Sequence, residues 1–211
     1  MTFVLVHGSW QDGLVWKATI RELESKGHKA FAPTMLGHGK AANRKVNHAQ
    51  CTKSVVDHIV NQNLSDIVLL GHSFGGTVIA KVAEVIPERI RRLVFLNGFV
   101  LQDGNSLNDE VPQFYVTLFE QLSQSSADHT VMVPFPIWRE AFMNDADLEL
   151  AKSVYAQLSP EPYKPFKDRL DFEEVLRIGA SKELHQLHRG HSSATRRVGL
   201  ASPYVEPAGL V

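Results

Sequence analysis

The 211-residue sequence contains one cysteine, Cys51, so no internal disulfide can form. That fits a reducing compartment, and a cytoplasmic protein is expected. Net charge is nearly absent: 22 Lys and Arg stand against 23 Asp and Glu, giving −1. Such a balance argues against nucleic acid or a membrane surface as partner. No apolar stretch approaches the ~20 residues of a spanning helix. The segment Met1 to Val6 has no basic region before it and no small-residue cleavage site, so it does not read as a signal peptide. No aspartate follows Asp171. What is present, 44% hydrophobic and 21% charged residues, is globular and excludes wholesale disorder.

Along the chain, strand and helix patterns alternate. Residues 2 to 6 form a continuous apolar run ended by His7-Gly8-Ser9, as in a strand buried on both faces. Trp16, Ile20 and Leu23 recur at helical spacing between Gly13 and Gly27. Residues 29 to 32 give a second strand, and 47 to 62 a second helix. A third strand is expected over 66 to 70, a third helix over 77 to 86 stopped by Pro87, and a fourth strand over 93 to 96. This order predicts a parallel sheet covered on both faces. After Asn97 the alternation breaks. Residues 104 to 165 show helical stretches over 112–124 and 136–157, no buried-strand run, and read as an insertion over the sheet. The last stretch, 180 to 211, has neither period and reads as poorly ordered.

The sharpest feature is Gly71-His72-Ser73-Phe74-Gly75, followed by Gly76. Gly-x-Ser-x-Gly is weak as a bare pattern. Here it joins a buried strand to a helix, the context a nucleophile elbow requires. A serine in that turn is held in strained backbone, and small residues two positions away let other backbone pass close. The helix N-terminus behind it favours developing negative charge. His7-Gly8-Ser9-Trp10 ends the first strand, on the same carboxyl edge where ligands bind in parallel sheets. Acyl transfer needs two backbone N–H donors aimed at the oxyanion. Phe74, after the nucleophile, supplies one, and Ser9 is the candidate for the other.

The segments 3–10, 32–39, 70–76 and 92–99 resemble the α/β-hydrolase superfamily, in the branch of small esterases related to plant methylesterases and hydroxynitrile lyases. The similarity is strong to about residue 103 and looser through Phe142 to Asp147 and Pro162 to Phe166. It implies an α/β fold, a doubly wound, mostly parallel sheet with a helical cap insertion. The expected divisions are a core over 1–103, a cap over 104–170 and an atypical tail over 171–211. It further implies Ser73 as the catalytic nucleophile, the backbone N–H groups of Ser9 and Phe74 as the oxyanion hole, and a pocket involving Trp138. The implied reaction is cleavage of a small carboxylic ester through an acyl-enzyme, without metal or cofactor.

In the family the acid and then the histidine base follow the nucleophile in chain order, each after a late strand. This sequence departs from that pattern, and its late strands are expected to be missing. Back-translating residues 185 to 211 and shifting by one base permits the family's acid-bearing segment: Val198-Gly199 and Leu200-Ala201, for example, both allow a shifted tryptophan codon. A frameshift of an ordinary family gene is therefore expected, with the acid in the shifted reading and the base beyond residue 211. Within the chain, Asp103 with His185, His188 or His191 is the alternative acid and base. Two other functions stay open: hydroxynitrile lyase chemistry at the same site, and a catalytically impaired hydrolase-fold protein that binds without turnover. His72 is read as structural, and Cys51 as core.

Overall fold

The computed structural model describes residues 1–172 and the pair 185–186. The first four strands of the sheet are β1 (Thr2–Val6), β2 (Lys29–Phe31), β3 (Ile67–His72) and β4 (Ile90–Leu96). All pair in parallel, in the order β2-β1-β3-β4. Val4, Leu5 and Val6 of β1 and Ile67 and Leu69 of β3 are buried, which is why those runs are apolar without alternation.

Helices fill the crossovers. A 3₁₀ turn (Gly13–Trp16) leads into α1 (Lys17–Ser25), α2 (His48–Asn61) links β2 to β3, and α3 (Gly75–Val85) links β3 to β4. The Asn47 and Gln50 side chains each accept the other's backbone N–H at 2.9 Å, a capping box that fixes the start of α2. The α3 helix is buried along nearly its whole length, and Pro87 follows its end. By contrast α1 buries no residue fully.

The later segment holds α4 (Leu107–Glu110), α5 (Gln113–Gln124), β5 (Thr130–Val131), α6 (Phe135–Phe142), α7 (Leu148–Tyr155), β6 (Glu161–Pro162) and α8 (Lys164–Lys167). Its Phe119, Trp138 and Phe166 share one apolar cluster with Val4, Val6 and Phe74 of the sheet region. Two details differ from the sequence reading. The helix expected over 136–157 is broken, because Asp147 accepts the Leu150 N–H at 2.8 Å and caps a new helix. The buried antiparallel pair β5 and β6 appears where no strand run is visible, because two residues are too few to show a period.

A two-residue strand, β7 (His185–Gln186), lies parallel to β4 opposite Val94 and Phe95. The expectations for the rest of the tail, His188 and His191 included, fall outside the described residues. Among the described residues no helix is long and apolar enough to cross a membrane.

Candidate active site

Left-handed, non-glycine residues follow three neighbouring strands at their carboxyl ends. They are Trp10 after β1 (φ 63°), Ser73 after β3 (φ 51°) and Asn97 after β4 (φ 44°). That conformation is uncommon for side-chain-bearing residues, and its clustering on one edge marks the edge where ligands bind.

Ser73 sits in the turn predicted for it, half-buried, between β3 and α3. Its carbonyl accepts the N–H groups of Gly76 at 2.9 Å and Phe99 at 3.0 Å, which tie the turn to the loop after β4. The glycines are required by close approach. A Cβ on Gly75 would lie 2.6 Å from the His7 carbonyl oxygen, and one on Gly76 2.6 Å from that of Phe99. Gly8 brings the two motifs together, since a Cβ there would stand 3.0 Å from Ser73 Cβ. The Gly8–Ser9 peptide therefore passes beside the serine. Ser9 and Phe74 are both buried. Among the described residues, neither backbone N–H has an acceptor. Unpaired buried N–H groups are rare, and two of them flanking one serine is the arrangement an oxyanion hole needs.

The Gly8–Ser9 peptide is held by His7. Its Nδ1 lies 2.9 Å from the Gly8 carbonyl oxygen and its Nε2 accepts the Met35 N–H at 3.1 Å. One nitrogen must donate and the other accept, so the ring is neutral. Burial, reinforced by the positive charge of nearby His38, pushes its pKa down to about 3. On the other side, His48 lies 2.8 Å from Thr77 Oγ1, whose hydroxyl donates to the Phe74 carbonyl at 2.8 Å. Burial lowers the His48 pKa to about 4. Burial also lowers that of His72, whose ring meets Trp16 edge-on with centroids 6.3 Å apart.

His38 is the opposite case. Its Nδ1 faces the Leu36 carbonyl at 3.1 Å and its Nε2 the Glu161 carboxylate at 3.0 Å, so both nitrogens donate. Burial alone would lower its pKa, but the charge and hydrogen bond of Glu161 and the Leu36 carbonyl together raise it.

Among the described residues no side chain hydrogen-bonds to the Ser73 hydroxyl. The nitrogens of His7, His38 and His48 all face partners of their own. Asp103 accepts the Phe172 N–H at 2.8 Å, and that bond, with one from the Gly104 N–H, holds its pKa down at the solvent-exposed surface. It thus ties down the segment that follows α8. Trp138 is buried in the cap against Phe135, Phe142 and Tyr155, and Phe142 reaches Trp10 with centroids 5.4 Å apart. His129 lines a polar groove between the N-terminus of α2 and the cap, beside Arg44 and Tyr163. The sequence reading did not single out Glu161. The one local sign is an acidic residue preceding the Pro162–Phe166 resemblance, and nothing in it announces burial.

The chain belongs to the alpha/beta hydrolase family, whose profile matches residues 3–202. A carbendazim hydrolyzing esterase of Nocardioides sp. (strain SG-4G) is 39% identical over 114 residues, covering 53% of this chain and 47% of that protein. The putative chloroplastic methylesterase 15 of Arabidopsis thaliana is 25% identical over 186 residues, 82% of this chain and 42% of that one. The chain thus spans about half or less of the length of these curated relatives. Among solved structures, an extracellular alpha/beta-hydrolase from a Paenibacillus species is 42% identical. It superposes with a TM-score of 0.82 over 88% of this chain and 75% of its own. A pyrethroid hydrolase from Sphingobium faniae JZ-2, 23% identical with a TM-score of 0.65, shares the fold.

Proposed function

We propose that this chain carries the acyl-transfer site of an esterase acting on a small carboxylic ester. Ser73 is the nucleophile, and the N–H groups of Ser9 and Phe74 form the oxyanion hole. The observation that carries this reading is the pair of unsatisfied backbone donors on either side of a left-handed serine. The Ser73 oxygen attacks the ester carbonyl carbon and its proton passes to a base. The carbonyl oxygen gains charge facing the two N–H groups, and the alcohol leaves with a proton. Water then releases the carboxylic acid and restores the serine. The aromatic cap residues, Trp138 and Phe142 among them, wall the acyl or alcohol pocket. The esterase names of the relatives agree with this reaction class.

We assign the orienting acid to the segment that a one-base shift of positions 185 to 211 would restore, and the base to the reading frame that follows it. A second reading is favoured by one observation: the buried histidines His7, His38 and His48 all face other partners. On it, this chain binds its ligand but does not turn it over. A cytoplasmic setting belongs to the proposal too, although relatives are named as chloroplastic and extracellular.

Fluorophosphonate labelling with p-nitrophenyl butyrate turnover tests the assignment, in wild type and Ser73→Ala. Labelling that maps to Ser73, and turnover lost in S73A, are expected for a working site. Equal turnover in both proteins removes the esterase assignment from this chain. Ligand binding without labelling selects the second reading.

A further inference from the structure

Glu161 and His38 are two buried charged groups that the proposed chemistry does not use, and they meet beneath the candidate oxyanion loop. The Glu161 side chain is 0% exposed and that of His38 1%. A pair so far from water costs desolvation, and well-packed apolar residues would often serve stability as well. What this pair does besides packing is visible in its second contact. Glu161 Oε1 meets His38, and Oε2 accepts the backbone N–H of Trp10 at 2.7 Å, a short, charge-assisted bond. Trp10 is the left-handed residue directly after Ser9.

Every other polar group of Trp10 is also tied to the cap. Its carbonyl accepts the Ser159 N–H at 2.9 Å, and its indole Nε1 donates to the Val131 carbonyl at 2.9 Å. The conformation of Trp10 is thus fixed from β5, β6 and the segment just before β6, while His7 holds the peptide on its other side. Besides the buried Cys51 thiol, two other charged or titratable groups lie close. His7 packs edge-on to His38, 5.0 Å between centroids, and is neutral. Arg44 gives its guanidinium to the carbonyls of Gly37 and Gly39. Neither competes for the oxygen that holds Trp10.

We propose that Glu161 is the positioning residue of the oxyanion loop: its cap-borne carboxylate holds Trp10 in the left-handed conformation that keeps the Gly8–Ser9 peptide against Ser73. The importance of this for turnover rests on the esterase reading above, but the hold on the loop does not. The cap is then part of the catalytic geometry as well as a cover. Removing the carboxylate frees the loop, whereas an amide of the same shape can still accept from Trp10 and donate to a neutral His38.

The test uses the full chain and the variants E161L, E161Q and E161D. Residue-resolved amide exchange is the first readout. E161L should speed exchange at Trp10 and Ser159 by at least ~10-fold while the amides of β1 and β3 keep their protection, and E161Q should match wild type. Unchanged exchange at Trp10 in E161L overturns the proposal, as does E161Q freeing the loop equally. If E161L does not fold, E161D decides. Its carboxylate is drawn back by one methylene, so it should free Trp10 and Ser159, and unchanged protection there overturns the idea. The second readout is ester turnover. With Ser73-dependent turnover in wild type, E161L should lose about 100-fold in kcat with KM within threefold, and E161Q should recover it. A loss confined to KM overturns the positioning role. Wild-type turnover that survives S73A sinks the esterase reading alone, and exchange still decides what Glu161 does.

Discussion

Acid should unfold this protein through two histidines that the fold keeps neutral. His7 donates through one ring nitrogen to the Gly8 carbonyl and accepts the Met35 N–H through the other, and burial with the neighbouring His38 charge sets its pKa at about 3. His48 is set at about 4, by burial above all. In the unfolded chain both titrate near 6.5. As pH falls below that value the unfolded state takes up protons that the folded state refuses. The stability these two groups contribute is therefore complete above about pH 6.5 and is lost as pH falls toward their folded values. At 1.36 kcal/mol per unit, each removes ~3 kcal/mol by pH 4. Their joint effect is comparable to the whole stability of a typical domain, about 5–15 kcal/mol. His38 works with the opposite sign. Its pKa is raised by Glu161 against the pull of burial, so its contribution is full below 6.5 and fades as pH climbs through the raised value. Urea unfolding followed by tryptophan fluorescence, from pH 8 to pH 4, measures the slope. A change below ~1 kcal/mol between pH 7 and pH 4.5 would refute the neutral-histidine account. H48Q, whose amide can still reach Thr77, should lose about half of the slope. An unaltered slope in that variant would place the proton uptake elsewhere.

Two further outcomes follow from the elbow and the tail. In Gly75→Ala the new Cβ meets the carbonyl oxygens of His7 at 2.6 Å and Val6 at 2.8 Å, which are backbone and cannot swing away. It should cost about 2–4 kcal/mol in urea unfolding and abolish fluorophosphonate labelling. Gly104→Ala, with open space around it and only a positive φ of 76° to resist it, should cost roughly 1 kcal/mol. Resequencing the gene across residues 180 to 211 should reveal a single-base change that restores a family-like continuation, and the corrected protein should gain Ser73-dependent turnover of about 100-fold or more. If no single-base change restores it, the frameshift account fails.

The parts of this molecule that could be read from the sequence are those encoded by contiguous residues. The apolar run of β1 needs no partner to declare itself, and the strand-turn-helix around Ser73 carries its own glycines because the backbone approach that demands them is local to the turn. The break between α6 and α7 was legible in principle, since Asn144 and Asp147 are cap-forming residues inside an otherwise helical stretch. Glu161 was not legible, because its role depends on a bond to Trp10 across 151 positions. Before that contact is known, an acidic residue between two prolines looks like exposed loop. The two-residue strands β5 and β6 escape for the same reason, having pairing but no period. A serine nucleophile can be recognised from five residues, whereas its base and acid arrive on separate elements and have no local signature. The donors that face the oxyanion lie between these extremes. Ser9 and Phe74 are found by their offset from strand ends, but the direction of the Gly8–Ser9 peptide is decided by His7 beneath it and, on our proposal, by the cap above it. A substitution scan confined to the recognisable motifs would therefore miss the residues that fix where those motifs point.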